Sequence, residues 1–347
     1  IHKLNEVYIK ILCEDEGIHH ELYEYMSFFV PGYQFMPAYR NKWWNGKIYL
    51  YNKAARTLYH GLIEHLQIFA KDRDYEVEFE NSLDSTSFSL LESKEFVDGL
   101  KLSLEPRDYQ IDGFVHAIRS KRSVIVSPTG SGKSLIAYLI AKKLMDQGLR
   151  GLILVPTTSL VEQMYSDFES YGLDVKENAH RIYSGKEKVS DKPLIISTWQ
   201  SVYKFPTSYF EIFDFVIGDE CHLYKAKSLT DIMTKLVNAK YRIGMTGTLD
   251  GQKVHKLILE GLFGPTRKVV STKELIDKKQ LANFRIKCLV LKHTKEECKA
   301  AKDFKYIEEM RYLVSNEKRN KFIRNLALSL DKNTLILFQY VEKHGKI

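Results

Sequence analysis

One octapeptide constrains this chain more than any other segment: Ser127-Pro128-Thr129-Gly130-Ser131-Gly132-Lys133-Ser134. A largely apolar run, 123–127, precedes it, and an apolar-periodic segment, 135–144, follows it. This strand–loop–helix context is typical of a phosphate-binding loop (P-loop), whose glycines let backbone N–H groups turn toward a phosphate. We therefore predict a nucleoside triphosphate site, in which Lys133 reaches the β- and γ-phosphates and Ser134 ligates Mg²⁺. The alternative is a Gly/Ser-rich surface turn, and both flanks argue against it.

Length and composition set the class of protein. A chain of 347 residues has room for two or three domains, and 44% hydrophobic with 28% charged residues is ordinary for a globular protein. No apolar run approaches the length that spans a membrane. The four cysteines (Cys13, Cys221, Cys288, Cys298) form no CxxC pair, so we expect reduced thiols, no zinc site and a cytoplasmic location. A net charge of +8 favours a polyanionic partner.

Three regions differ in their patterns. Residues 1–90 alternate short strand-like and helical segments and predict a small α/β domain, with a linker rich in Ser, Asp and Glu over 81–93. Residues 91–280 predict a doubly wound parallel sheet, because short, continuous, β-branched runs alternate with helical segments. Residues 281–347 predict a connecting segment with one or two amphipathic helices over 296–330. The predicted parallel strands are 123–127, 151–155, 194–198, 215–218 and 242–245.

An acidic pair follows one of these strands. Asp219-Glu220-Cys221-His222 comes directly after the apolar run 215–218. A P-loop enzyme needs acidic groups opposite its loop, so we predict that Asp219 holds Mg²⁺ and that Glu220 orients and deprotonates the attacking water. A turn with solvated carboxylates is the alternative, and the P-loop upstream argues against it.

Further motifs stand in a fixed order around these two. Arg107-Asp108-Tyr109-Gln110 precedes the P-loop, and three polar segments follow the later strands: Val155–Gln163, Ser197–Val202 and Thr246-Gly247-Thr248. In this order, and with an Asp-Glu-Cys-His box, the chain resembles superfamily 2 helicases of the DExH type. That family has RecA-like P-loop domains and uses ATP and Mg²⁺.

The resemblance implies roles residue by residue. Lys133, Asp219, Glu220 and His222 would be catalytic, and Gln110 would read the adenine edge with Tyr109 or Arg107 lining its pocket. Thr246, Gly247 and Thr248 would couple hydrolysis to domain movement. Residues near the nucleic-acid track would be Thr157, Thr158, Thr198, Trp199 and Gln200. Thr hydroxyls at strand ends can bond phosphate oxygens, and Trp199 can either stack on a base or fill the core.

The end of the chain, 334–347, resembles the opening of a second RecA-like domain, with Phe338-Gln339-Tyr340 ending its first strand. Arginine fingers of such helicases lie late in that second domain. We therefore expect a fragment that binds nucleotide weakly and hydrolyses it slowly, since an arginine finger contributes about 10³–10⁵ in rate.

The N-terminal region combines basic and aromatic residues. No acidic residue stands between Glu24 and Glu64, whereas five fixed cations and many aromatic rings do. This composition suits a nucleic-acid surface, with charge on phosphates and rings against bases. Asn45-Gly46 predicts a hairpin of 39–44 with 47–51. A small core with a solvated basic rim is the alternative. The candidate DNA contacts are Arg40, Lys42, Trp43, Trp44 and Lys47.

The segment 31–47, with its Pro-Gly-Tyr start and its Trp-Trp-Asn-Gly-Lys end, resembles the N-terminal domain of phage UvsW-type recombination helicases. That family implies ATP-driven work on branched DNA: branch migration, unwinding of R-loops and D-loops, and replication-fork rescue. The alternatives left open are an RNA helicase, a small-molecule kinase and a binding module without turnover. The sequence leaves the oligomeric state undetermined, and we favour a monomer.

Overall fold

The structure is a computed structural model that describes residues 1–80, 86–185, 187–249, 253–282, 286–331 and 333–337. It divides into two compact units, Ile1–Ala282 and Asn283–Ile347. The first unit contains both the N-terminal part and the sheet that carries the P-loop.

The N-terminal part is built on a four-stranded antiparallel sheet in the order β1-β2-β6-β5, with a separate pair of β3 and β4. Its core is closed by apolar side chains from both helices and sheet, including Leu22, Tyr51, Leu58 and Phe69. The elements are β1 His2–Lys3, β2 Tyr8–Lys10, α1 Glu16–Tyr25, β3 Ser27–Phe29, a 3₁₀ turn Tyr33–Phe35, α2 Pro37–Arg40, β4 Lys47–Tyr49, β5 Tyr51–Asn52, β6 Thr57–Tyr59, a 3₁₀ turn His60–Leu62 and α3 Ile63–Lys71.

The hairpin predicted from Asn45-Gly46 is wrong. Strand β4 pairs with β3, with Ser27 opposite Tyr49 and Phe29 opposite Lys47. Residues Pro37–Arg40 before the turn are helical, because Pro37 at the first helical position favours that geometry. Gly46 does adopt a left-handed φ of +84°, so a turn is present at Asn45-Gly46 as predicted. The strand that follows this turn pairs with β3 and not with the residues just before the turn.

The larger part is a seven-stranded sheet in the order β13-β7-β12-β11-β8-β10-β9, and every pairing in it is parallel. Helices follow the strands as crossovers, and two apolar clusters fill the two faces. The elements are α4 Leu90–Leu100, α5 Asp108–Ser120, β7 Arg122–Val126, α6 Lys133–Met145, β8 Gly151–Val155, α7 Thr158–Ser170, α8 Val175–Asn178, β9 Ala179–Ile182, β10 Leu194–Thr198, α9 Trp199–Val202, α10 Thr207–Phe210, β11 Phe215–Gly218, a 3₁₀ helix Cys221–Lys225, α11 Lys227–Lys235, β12 Tyr241–Thr246, α12 Lys253–Phe263, β13 Thr266–Lys268 and α13 Thr272–Asp277.

The parallel sheet confirms the predicted α/β class, and it is wider than predicted. Strands β9 and β13 were not predicted, and α4 begins inside the segment expected to be a linker. A capping box starts α4, since the Ser89 hydroxyl accepts from Glu92 N–H while the Glu92 carboxylate accepts from Ser89 N–H.

Helix α12 joins the two parts of the first unit. A Cβ added to Gly61 would lie 2.0 Å from the Glu260 carbonyl oxygen, and one added to Gly261 would lie 3.1 Å from the Tyr59 ring. The His65 Nε2 atom lies 2.9 Å from Glu260 Oε2, and Leu257 is buried in the N-terminal core. Glycine at position 61 is therefore required by the close approach of the two backbones, whereas a side chain at position 261 would press on the Tyr59 ring.

The second unit has three described helices, α14 Lys295–Ala300, α15 Tyr306–Ser315 and α16 Glu317–Leu328, where one or two longer ones were expected. Thr294 and Asn316 cap α14 and α16 through their side chains. Residues 334–337 have no assigned strand, and the rest of the expected second RecA-like strand, from Phe338 onward, lies outside the described residues.

Candidate functional site

The strand order brings the separate motifs to one edge of the sheet. Strand β12 lies between β7 and β11, so the P-loop after β7, the Thr246–Thr248 turn after β12 and the acidic pair after β11 are neighbours. Beyond β11 come β8 and β10, which end at Val155 and Thr198. Because the carboxyl ends of parallel strands lie at the same edge, this is where an open α/β sheet binds its ligands.

The P-loop has the backbone conformation that its glycines allow. Gly130 and Gly132 have φ values of +79° and +80°. A Cβ on Gly132 would lie 2.4 Å from the Gln110 side-chain nitrogen, and one on Gly130 would lie 2.9 Å from Leu281. The Ser127 hydroxyl donates to Ser131 Oγ at 2.6 Å inside the turn. Ser127, which stands where the general motif has Gly, thus stabilises the loop from within.

Residues of the segment before α5 hold the loop from outside. The Gln110 amide donates to the Ser131 carbonyl oxygen at 2.9 Å, and its own oxygen accepts from Arg107 N–H at 2.8 Å. The Tyr109 hydroxyl donates to the same Ser131 carbonyl at 2.7 Å and accepts from the Arg107 guanidinium at 2.8 Å. The structure therefore places Tyr109 and Gln110 against the P-loop backbone, with Arg107 bonded to both of them. The contact of these residues with adenine stays a prediction.

Lys133 and Ser134 begin α6 at the mouth of the loop. The Lys133 ammonium donates to the Ser127 carbonyl oxygen at 3.4 Å, a long contact that leaves capacity for phosphate oxygens. The Ser134 hydroxyl lies 3.0 Å from the Tyr171 hydroxyl. Thr129 packs against Gly247, where an added Cβ would lie 3.3 Å from Thr129 Oγ1 and 3.7 Å from Lys133 Nζ. Pro128 precedes these residues and accepts from Ser131 N–H through its carbonyl.

The environment of the acidic pair disfavours the ionised form of Asp219. Burial, and then the charge of Glu220, raise the pKa of Asp219 above its ordinary value, while Lys133 and His222 partly oppose that rise. A partly buried carboxylate of raised pKa and a serine hydroxyl are oxygen ligands that suit a divalent cation, because the cation's charge would favour the ionised carboxylate. Asp219 and Ser134 are therefore chemically suited to hold Mg²⁺. Glu220 has a left-handed φ of +47°, which is costly for a residue with a side chain.

His222 links the acidic pair to the next motif. Its Nδ1 atom lies 3.3 Å from Glu220 Oε2 and 3.0 Å from Thr246 Oγ1. The Thr246 hydroxyl in turn donates to the Thr248 carbonyl oxygen at 2.9 Å. A change at Glu220 can therefore be passed through two hydrogen-bonded side chains to the Thr246–Thr248 turn.

The ends of β8 and β10 carry the residues predicted to face nucleic acid. Thr157 and Thr158 are exposed, with the Thr157 hydroxyl accepting from Leu160 N–H at 3.3 Å as the cap of α7. Thr198 is buried and its hydroxyl lies 2.8 Å from Ser201 Oγ. Trp199 is half-buried against the core, and exposed Gln200 donates to the Pro156 carbonyl at 3.2 Å. Of these five residues, Thr157, Thr158 and Gln200 are exposed at this edge.

The two adjacent tryptophans of the N-terminal part differ in environment. The Trp43 side chain is 82% exposed, whereas Trp44 is half-buried and its indole N–H donates to the Lys47 carbonyl at 2.8 Å. The backbone N–H groups of both residues donate to the Ala38 carbonyl. Trp43 is thus displayed on a well-anchored turn, and Trp44 holds that turn in place.

The cations of this surface differ as well. The Lys47 ammonium pairs with Glu24 at 2.8 Å, and Arg56 pairs with Glu16 at 2.6 Å. Arg40 and Lys42 are exposed and form no ion pair with a residue that the structure describes. Their charges therefore remain available to an anionic partner.

Sequence reasoning missed two residues at the nucleotide edge. Tyr171, at the end of α7, contacts Ser134, and Leu281 packs on Gly130 beside Tyr109. Both come from segments without a motif, and only the tertiary fold brings them to the loop.

Comparisons with known proteins place this geometry in a family. The family described as DNA helicase UvsW, N-terminal, matches residues 2–80, and Type III restriction enzyme, res subunit, matches 103–251. The ATP-dependent DNA helicase uvsW of Enterobacteria phage T4 is 32% identical over 356 residues, which cover 98% of this chain and 70% of the relative. The chain belongs to the UvsW helicase family.

Solved structures and a further relative agree with that membership. A crystal structure of the phage T4 UvsW helicase is 31% identical with a TM-score of 0.71, over 77% of this chain and 98% of that one. A second T4 UvsW structure is 29% identical with a TM-score of 0.72, over 99% and 70%. The DNA 3'-5' translocase XPB2 of Sulfurisphaera tokodaii is 32% identical over 228 residues, 66% of this chain and 47% of the relative. The resemblance drawn from the motifs is confirmed.

The part of the chain that the structure describes holds no helix long and apolar enough to cross a membrane. Within the same ranges, no three His, Cys, Asp or Glu side chains cluster as metal ligands would, and the four cysteines are free thiols.

Proposed function

We propose that this UvsW-family protein is an ATP-driven DNA helicase or translocase that acts on branched DNA in recombination and repair, in the cytoplasm. The observation that carries the proposal is that the P-loop, the acidic pair and the Thr246–Thr248 turn follow three adjacent strands of a chain that also has a UvsW N-terminal domain. The phage T4 relative, named an ATP-dependent DNA helicase, supports the DNA substrate.

The chemistry that we assign follows from the contacts. Loop N–H groups and Lys133 bind the triphosphate. Glu220, whose Oε2 atom lies 3.3 Å from His222 Nδ1, accepts a proton from the attacking water. Mg²⁺, when bound by Ser134 and Asp219, would neutralise phosphate charge. His222 and Thr246 then report the state of Glu220 to the Thr246–Thr248 turn.

The DNA contacts are proposed on two surfaces of the first unit. At the sheet edge, exposed Thr157, Thr158 and Gln200 would bond backbone phosphates without reading sequence. On the N-terminal part, Arg40 and Lys42 would contact phosphates, and Trp43 would stack on a base that is unpaired at a branch point. Trp44 and Lys47 would support that surface from behind.

Steady-state ATP hydrolysis tests the proposal. We expect fork DNA to stimulate turnover more than linear duplex, and single-stranded RNA to stimulate it least. Stimulation by RNA alone would replace the assignment with an RNA helicase. A rate that no nucleic acid changes would contradict the helicase assignment.

A further inference from the structure

A cavity of about 600 Å³ lies between the N-terminal part and the amino ends of the sheet strands. It is far from the P-loop in the fold, because Arg122 starts β7 whereas the P-loop follows the end of that strand. Its wall contains four cationic side chains (Lys3, Lys121, Arg122 and Lys240) and two carboxylates (Glu6 and Glu64).

The buried arginine of this wall has unused hydrogen-bonding capacity. Arg122 is 9% exposed, and its Nη2 donates to the Glu6 carbonyl at 2.5 Å and to the Glu6 carboxylate at 2.7 Å. Its Nη1 atom is buried without a hydrogen-bond partner, and so is the Nδ1 atom of His60 nearby. The Arg122 Nη1 group is a buried donor without a partner, and the His60 Nδ1 atom lies 4.0 Å from Glu6 Oε2, so it becomes a donor only in its Nδ1–H tautomer. An orphaned buried guanidinium N–H facing a cavity calls for a ligand that accepts hydrogen bonds.

The charge around Arg122 is also incompletely balanced. Glu6 serves both Lys3, at 2.5 Å, and Arg122, at 2.7 Å. Arg242, opposite Arg122 on β12, is fully buried, and its guanidinium donates to three carbonyl oxygens, of Leu262, Leu236 and Met233. Glu6 thus pairs with Arg122 alone of the two buried guanidinium groups, and Arg242 is stabilised by carbonyl dipoles without a carboxylate among the described residues, which leaves positive charge beside the cavity.

We propose that this cavity binds a phosphorylated ligand, whose phosphate oxygens accept hydrogen bonds from Arg122 and His60. Arg–phosphate pairs are strong because the guanidinium donates along directions that match the phosphate oxygens. Ile9, Ile63 and Phe79 line the same cavity and supply an apolar surface for the organic part of the ligand. The phosphate can come from a free nucleotide or from the phosphorylated end of an oligonucleotide.

A Lys133→Ala background separates this cavity from the P-loop, which also binds phosphates. Calorimetric titration of that variant with AMP, and with 5′-phosphorylated and unphosphorylated oligonucleotides, measures the remaining binding. We expect one equivalent of a phosphorylated probe to bind. Binding of AMP would identify a free nucleotide as the source of the phosphate, and binding of the phosphorylated but not the unphosphorylated oligonucleotide would identify a strand end. No saturable binding of any phosphorylated probe at millimolar concentration would overturn the proposal.

Variants at the rim locate the binding without removing the buried Arg122, whose loss can unfold the protein. Lys3→Gln and Lys240→Gln, each added to Lys133→Ala, should weaken binding at least about tenfold. Lys94→Gln, at an exposed lysine of α4 outside the cavity, should leave it unchanged. Equal affinity in all three would assign the binding to another place, and the proposal would fail.

Discussion

The nucleotide edge of the sheet and the N-terminal surface hold their functional groups in opposite ways. At the edge, Asp219 is held with a raised pKa beside Glu220, and His222 and Thr246 are joined at 3.0 Å. On the N-terminal surface, Trp43 is 82% exposed and the charge of Lys42 is solvated. Preorganised groups that interact with one another act as a unit, whereas separate exposed groups contribute independently. Substitutions should therefore have large effects at the edge and moderate, additive effects on the surface.

The largest effect is expected from Lys133→Ala. Removing the ammonium that lies over the P-loop should lower ATP turnover below detection, since phosphate charge is then left without its side-chain partner. DNA affinity, measured by fluorescence anisotropy without nucleotide, should stay within about twofold, because Lys133 is not among the residues proposed to contact DNA on either surface. Retained turnover would remove the P-loop from the mechanism.

Glu220→Gln should lower turnover by about 10²–10⁴-fold, the usual contribution of a general base. Nucleotide affinity should be preserved, because Glu220 lies next to His222 and is not part of the loop. Single-turnover hydrolysis and binding of a fluorescent ATP analogue measure the two quantities. A normal rate would transfer the base role to another residue.

On the N-terminal surface, Trp43→Ala should weaken binding to fork DNA by about 5–150-fold, which corresponds to about 1–3 kcal/mol for one stacked base. The melting temperature of this variant should be unchanged. The matched control is Trp44→Phe, which loses the 2.8 Å bond to the Lys47 carbonyl and should lower the melting temperature more than DNA affinity. The reverse pattern would assign the contact to Trp44.

Arg40→Gln combined with Lys42→Gln should reduce the slope of log affinity against log salt by about 1.8, since each phosphate contact contributes about 0.9. Lys47→Gln is the control, because its charge is paired with Glu24 at 2.8 Å and should change the slope less. Equal changes in the two proteins would show that the ion pair opens on DNA.

The smallest effect is expected in stability. Because burial and Glu220 raise the pKa of Asp219, its ionised form at neutral pH destabilises the ligand-free fold. Asp219→Asn should therefore raise the melting temperature, because the ionised carboxylate is removed, while ATP turnover falls. Scanning calorimetry at pH 7 without Mg²⁺ checks this, and a lowered melting temperature would contradict the assigned strain.

Five strands of the parallel sheet were predicted from the sequence because each is a run of continuous apolar residues, and the motifs directly follow these strands. Strand β9 was missed because His180 and Arg181 interrupt that pattern at the edge of the sheet. The pairing of β3 with β4 was missed because the partner strand lies about twenty residues away, across the helix α2. The ion pairs of Lys47 and Arg56 and the contact of Tyr171 with Ser134 depend on the tertiary fold, and no local pattern indicates them.

The packing of helix α12 determines how far apart the two proposed DNA-binding surfaces lie. Its glycine-mediated packing joins the N-terminal part to the sheet within a single compact unit, and Leu257 is shared with the N-terminal core. If both proposed surfaces bind DNA, the distance between them is fixed by the fold, because both lie in the same compact unit. A branch point would then be held at one fixed number of nucleotides from the motor edge, and a bulkier residue at Gly61 would alter that number.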